Sequence, residues 1–141
     1  MEQKGDNLMS HKLFVSLPIK KLDRSVAFFK ALGFTFNPKF TGENAACMLI
    51  GEHACAMLLV ESFFKTFTKK EICDTATHVE GAYGLSCERR AEVDAMVAKA
   101  LAGGGKEAGP PEDHGFMYSR SFEDLDQHHW EVVWMDPKAA Q

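Results

Sequence analysis

Two stretches of helical periodicity, each preceded by a short apolar strand and closed by glycine, constrain this chain most. Leu22, Val26, Phe29 and Leu32 recur at helical spacing behind a candidate N-cap at Asp23, and Gly33 marks the stop. Val93, Met96, Val97, Ala100 and Leu101 form the i, i+3, i+4, i+7, i+8 stripe of a second amphipathic helix, ended by Gly103-Gly104-Gly105. Around the first helix lie the strand candidates HKLFVSLPI, closed by Pro18, then FTFNPKF, Ala45 to Ile50 and Ala54 to Val60. Gly51-Glu52-His53 reads as the hairpin turn between the last two. Around the second helix lie Tyr83 to Cys87, a weak edge segment GKEAGPPED, Phe116 to Phe122, and His129 to Trp134 after the turn EDLDQH. Each half therefore reads β-α-β-β-β, a repeat of pattern rather than of letters. Such a module alone has a curled sheet with an open face, and two can pair to enclose a cavity.

A chain of 141 residues is the size of one ordinary domain and can bury a real core. With 45% hydrophobic and 26% charged residues it belongs to neither the disordered nor the fibrous class. A net charge of −4 without a basic stripe argues against a nucleic-acid partner. The longest uninterrupted apolar run, Ala54 to Val60, is too short to span a bilayer, and MEQKGDNLMSHK lacks a signal peptide's apolar stretch. A cytoplasmic protein with no membrane partner is expected. Residues 1–10 read as a flexible leader and 11–137 as one domain, with module 1 at about 11–60 and module 2 at about 82–135. The linker 61–81 gathers Phe63, Phe64 and Phe67 among lysines. It reads as a short helix packed on the core or on a partner subunit, with an aromatic lid over a pocket as the functional alternative. Cys47, Cys55, Cys73 and Cys87 show no C-x-x-C spacing and are expected as buried, reduced thiols.

Three segments carry a family likeness: LPIKKLDRSVAFFKALGF at 17–34, GLSCERRAEVDAMVAKALAGGGK at 84–106 and FEDLDQHHWEVVW at 122–134. In this order and spacing the chain resembles the vicinal oxygen chelate superfamily, which includes glyoxalase I, bleomycin-resistance proteins and extradiol dioxygenases. The resemblance implies an α+β fold of two βαβββ modules whose curled mixed sheet surrounds a cavity, and a homodimer. In metal-dependent members it implies one ligand on each of four cavity-facing strands, with the cation acting as a Lewis acid on vicinal substrate oxygens.

Carried onto this chain, the first ligand position falls on Phe14, the second near Leu58, the third at about Ala82 and the fourth on Glu131. Only Glu131 is a donor, and a lone carboxylate does not hold a catalytic divalent ion. His129 shares the strand face of Glu131 while His128 points the other way, so an H-x-E pair is available. His114 or His53 could complete an altered metal site. Alternatively, the two histidines are half-exposed residues near a hairpin end, or one is a general base in a metal-free pocket. Asp124 and Asp126 read as ordinary turn chemistry, and Gln127 stands where the superfamily commonly has glycine. No cofactor is expected, a divalent metal being the alternative. The leading expectation is a protein that binds a small organic molecule in the sheet cavity. Its lining is assigned to Phe14, Ser16, Met48, Leu58, Ser86, His129 and Glu131. The alternative is a metal-dependent lyase, isomerase or extradiol-type dioxygenase centred on His129 and Glu131. Trp130 and Trp134 face away from Glu131, toward the helices.

Overall fold

A computed structural model describes residues 10–139, so the leader expected at 1–10 lies almost wholly outside the described residues. Each half folds as one βαβββ unit around its own mixed sheet. In the first, β1 (Leu13–Ile19) leads into α1 (Leu22–Ala31), followed by β2 (Thr35–Asn37), β3 (Ala45–Gly51) and β4 (Ala54–Val60). The strand order is β1-β4-β3-β2, with β1 parallel to β4 and the rest antiparallel. A helical turn, α2 (Glu61–Phe64), opens the linker. The second unit runs β5 (Ala82–Cys87), α3 (Arg90–Ala102), β6 (Lys106–Glu107), β7 (Glu112–Asp113), β8 (Met117–Glu123) and β9 (His129–Met135). Its order is β5-β9-β8-β6, with β7 also on β8 and β5 parallel to β9. The GKEAGPPED segment thus supplies two short edge pieces, since its paired prolines cannot donate to a continuous ladder.

Local chemistry accounts for the helix ends, with one correction. Asp23 sits inside the first turn of α1, and Lys21 holds the N-cap position without a side-chain bond. The start of the helix is anchored instead from the other module: Asp126 accepts from the backbone N–H of Lys20 (3.0 Å), just before the N-cap, and from the Ser25 hydroxyl (3.0 Å). That carboxylate also complements the positive end of the helix. At α3, Glu92 accepts from the backbone N–H groups of Glu88 (3.0 Å) and Arg89 (3.3 Å). Pro18 does not close its strand, because β1 continues to Ile19. Being on an edge strand, the proline loses no inner ladder bond.

A single core joins the two units. Phe29 packs on Phe28 (5.0 Å between ring centroids) and on Trp130 (5.4 Å), and Phe28 approaches Phe122 (6.2 Å). Helix α1 therefore packs against both sheets, which is why Ser25 and Phe28 are buried beside the stripe that periodicity identifies. Leu17, Met48, Leu58, Val93, Val97 and Val132 complete the same cluster. Helices α1 and α3 pack on one face of each sheet; of the opposite face of the first sheet, Phe14 and Leu49 are exposed while Cys47 and Leu59 are buried. At the end of α3 the chain passes β8 so closely that a β-carbon on Gly105 would lie 2.7 Å from the Glu123 carbonyl and 3.0 Å from that of Ala100. Backbone cannot yield as a flexible side chain can. Gly105→Ala is therefore expected to lower unfolding stability by about 1–3 kcal/mol, read from the urea midpoint by tryptophan fluorescence. An unchanged midpoint would show that β8 shifts freely.

Candidate functional site

Strand parity decides which side chains reach the open faces. Along β1, Leu17 and Ile19 enter the core, so Phe14 and Ser16 face out. The ladder carries this across the β1-β4-β3-β2 sheet, sheet A: Phe14 pairs with Cys55, Ser16 with Met57, and Met57 with Cys47. In the β5-β9-β8-β6 sheet, sheet B, Trp130 and Val132 are buried, so His129, Glu131 and Val133 face out. Opposite them stand Ala82, Gly84 and Ser86 on β5, and Glu123, Ser121 and Ser119 on β8. Of the expected lining residues, Phe14, Ser16, Ser86, His129 and Glu131 lie on these open faces. Met48 and Leu58 do not. Both are fully buried in the core, and their neighbours Cys47 and Met57 occupy the outward positions.

The two modules can be superposed by register. Leu17 and Leu85 are the corresponding core residues of β1 and β5, so Phe14 matches Ala82 and Ser16 matches Gly84. Gly84 pairs with Glu131 as Ser16 pairs with Met57, which makes Met57 the counterpart of Glu131. The four ligand positions are then Phe14, Met57, Ala82 and Glu131, with Met57 replacing Leu58. Only one carries an oxygen or nitrogen donor. His129 joins it, with Nε2 3.2 Å from Glu131 Oε2. His114 instead approaches Glu112 (3.6 Å), and His53 approaches Glu52 (3.6 Å). Among the described residues no group of three or more His, Cys, Asp and Glu converges as a metal site. This donor set does not fit a four-ligand divalent centre.

Beside Glu131 lies a pocket of about 260 Å3 lined by Pro110, Glu112, Met117, Ser119, Arg120, Ser121 and Val133. Arg120 stands at its margin. Its guanidinium donates to Asp94 (3.0 Å) and Glu107 (3.0 Å), so its charge is already committed. A second pocket of about 250 Å3 lies under the linker, with Ser16, Phe64, Ile72, Cys73, Tyr83 and His128 in its wall. Phe64 thus covers a pocket, while Phe67 packs on Phe63 (5.2 Å) and is largely exposed.

The acidic turn before β9 is not a solvated hairpin tip, and His128 is not half-exposed. Asp124, Asp126 and His128 are all buried. Asp124 accepts from the backbone N–H groups of Asp126 (2.9 Å) and His128 (3.0 Å) and from Trp130 Nε1 (2.9 Å). His128 Nδ1 lies 2.9 Å from Glu80 Oε2, and Nε2 lies 2.7 Å from the Pro18 carbonyl. A carbonyl and a carboxylate only accept, so both ring nitrogens carry protons and the ring is an imidazolium. Burial opposes that charge, but Asp124, the Pro18 carbonyl and Glu80 together outweigh it and raise the His128 pKa above its ordinary value. Burial also pushes the Asp124 carboxyl up, against its three donors. Glu80 titrates below the usual range: burial works against it, but bonds from the Tyr83 hydroxyl and His128 prevail.

Comparison with known proteins agrees with this architecture. A family model described as bleomycin resistance protein-like N-terminal matches residues 12–51. No curated protein matches the chain. Among solved structures, a hypothetical protein of S. aureus, SA1046, is 24% identical with a TM-score of 0.76, covering 93% of this chain and 98% of that one. A glyoxalase/bleomycin resistance protein/dioxygenase family enzyme from Burkholderia phytofirmans is 12% identical with a TM-score of 0.71, over 86% of this chain and 96% of that one. The fosfomycin resistance protein FosX from Mesorhizobium loti is 14% identical with a TM-score of 0.62, over 95% and 97%. The class of fold is thereby defined: it is that of the glyoxalase/bleomycin resistance/dioxygenase proteins. Within it, the segment from β1 to β3 is similar to the N-terminal region of bleomycin resistance protein-like chains.

The His128 pKa is raised on folding. Its contribution is therefore complete below the unfolded value, ordinarily 6.5, and is lost as pH rises through the folded value. The melting temperature is expected to fall with pH above neutrality, and His128→Asn should flatten that slope. Removing the buried ring with His128→Ala should cost about 3–5 kcal/mol. Equal slopes in wild type and His128→Asn would assign the pH dependence elsewhere.

Proposed function

We propose that this protein binds a small organic molecule on the open face of sheet B, without the four-ligand metal centre of metal-dependent relatives. The chemistry of that face carries the reading. Met117 and Val133 offer an apolar floor, Ser119 and Ser121 offer hydroxyls, and Glu131 and Glu112 offer carboxylates. The cation at its margin is already committed to Asp94 and Glu107. A ligand with an aromatic or aliphatic body and an ammonium or other proton-donating group matches this lining. Solved relatives named for glyoxalase, bleomycin resistance and fosfomycin resistance support a cavity-binding role.

A second copy of the chain completes the site in this reading. Phe14, Leu49 and Met135 are large, exposed and on the open faces, an apolar surface that a twofold partner would cover. Among the described residues no helix is long and apolar enough to cross a membrane, and all four cysteines are free. These features support action in the cytoplasm, where thiols stay reduced.

The hydrogen-bonded pair of His129 and Glu131 favours a second reading, a metal-dependent lyase, isomerase or dioxygenase with an altered centre. Thermal shift against aromatic amines, thiol conjugates and catechols tests the first. Aromatic amines are expected to raise the melting temperature of the wild type, and Glu131→Gln should weaken that binding about tenfold. Carboxylate analogues of the same amines should be inactive. Stoichiometric binding of nickel, zinc, manganese or iron(II), abolished by Glu131→Ala, would overturn the metal-free reading in favour of the second.

A further inference from the structure

The open face of sheet A carries a concentration of sulfur that the pocket beside Glu131 does not use. Cys47 on β3 pairs directly with Met57 on β4, and Cys55 lies two residues before Met57 on the same face. Three sulfur-bearing side chains therefore occupy adjacent positions of one two-stranded surface. None belongs to the core cluster, although Cys47 is only 2% exposed. The other cysteines are elsewhere: Cys73 is in the linker, and Cys87 packs against the core from β5.

We propose that Cys47, Cys55 and Met57 form a soft-metal site that takes a monovalent cation such as copper(I), through two thiolates and one thioether.

Spacing selects a metal over a disulfide. Residues directly opposite in an antiparallel pair have β-carbons about 4.5–5.5 Å apart, and diagonal neighbours are about 7–8 Å apart at Cα. Cys47 and Cys55 are diagonal neighbours, whereas a disulfide needs its Cα atoms at about 4.4–6.8 Å. A metal bridge of two bonds of about 2.3 Å each suits the wider separation. Donor chemistry points the same way. Thiolate and thioether ligands select copper(I) over hard cations, and the nearby hydroxyls are those of Ser16, paired with Met57, and Thr41, which accepts from the Cys47 backbone N–H (3.1 Å).

Charge is accounted for as well. Each thiol gives up its proton on coordination and the thioether gives up none, so one copper(I) releases two protons and leaves a site of net −1. Burial, with Cys55 as its neighbour, holds the Cys47 proton on more tightly than usual in the metal-free protein, while the positive charge of Lys12 acts in the opposite sense. That lysine partly offsets the anionic complex. Phe14, which pairs with Cys55, lies alongside and shields one flank.

The test is an anaerobic titration of the reduced full chain with copper(I), counted by native mass spectrometry against a competing chelator. One tightly held copper per chain is expected, retained in Cys73→Ser/Cys87→Ser and lost in Cys55→Ser. Cys55 is partly exposed, so that variant keeps the core intact where a change at Cys47 would not. Met57→Leu should weaken binding about tenfold. Glu131→Gln should leave copper binding unchanged, which separates this site from the ligand pocket on sheet B. Equal copper uptake by Cys55→Ser would overturn the proposal, as would preference for zinc over copper(I). Quantitative closure of a Cys47–Cys55 disulfide by a mild oxidant would overturn the spacing argument.

Discussion

The fold depends on one buried cation. His128 lies between the Pro18 carbonyl of the first module and Glu80 of the linker, and both ring nitrogens meet acceptors. Neutral imidazole has a single N–H, so the geometry requires the charged form. Asp124 behind it and Glu80 in front compensate that charge in a place where water cannot. The same turn extends Asp126 to the start of α1, where it holds the Lys20 N–H and the Ser25 hydroxyl. Helix α1, strand β1 and the linker are thus all tied to a few residues before β9. The relative placement of the two sheets, and so of their open faces, follows from that joint.

Once the helices take one face of each sheet, the other face is left for function. Side chains alternate with a period of two, so a slip of one residue exchanges core for surface. Leu58 and Met57 show what that exchange decides. On the core side a leucine fills space against Ala46 and its neighbours, while on the open side a thioether stands opposite Cys47. Met48 and Cys47 make the same exchange one strand over.

Architecture was legible in the sequence because it rests on periodicity. Two helical stripes, their glycine stops and the strands around them suffice for two βαβββ units, and Trp130 and Trp134 fell on the helix side as parity demands. The position of Glu131 on the open face was legible for the same reason. What escaped was the chemistry of the EDLDQH turn. Acidic residues between strands are ordinarily solvated, and nothing local marks Asp126 as the partner of a helix serine 101 residues earlier in the chain. The parity of β3 and β4 was illegible too. Both strands are apolar on each face, so no polar alternation shows which side is open. Gln127 was a visible departure from glycine, yet the backbone keeps a left-handed φ of 63° there. The turn retains its shape because Asp124 holds it from both sides of that residue, through the N–H groups of Asp126 and His128.

The adjacent histidines illustrate how little proximity in sequence says about shared chemistry. Strand geometry sends them apart: His128 into the seam as a structural cation, His129 onto the open face beside Glu131. No single metal can use both. The module symmetry then yields a sharper contrast. At equivalent register positions the second module presents a carboxylate with an imidazole beside it, and the first presents a thioether between two thiols. Hard and soft donors do not exchange ligands readily. Two sheets built on one plan therefore offer different chemistry on their open faces, oxygen and nitrogen on one and sulfur on the other. A ligand suited to either face finds the wrong donors on its counterpart.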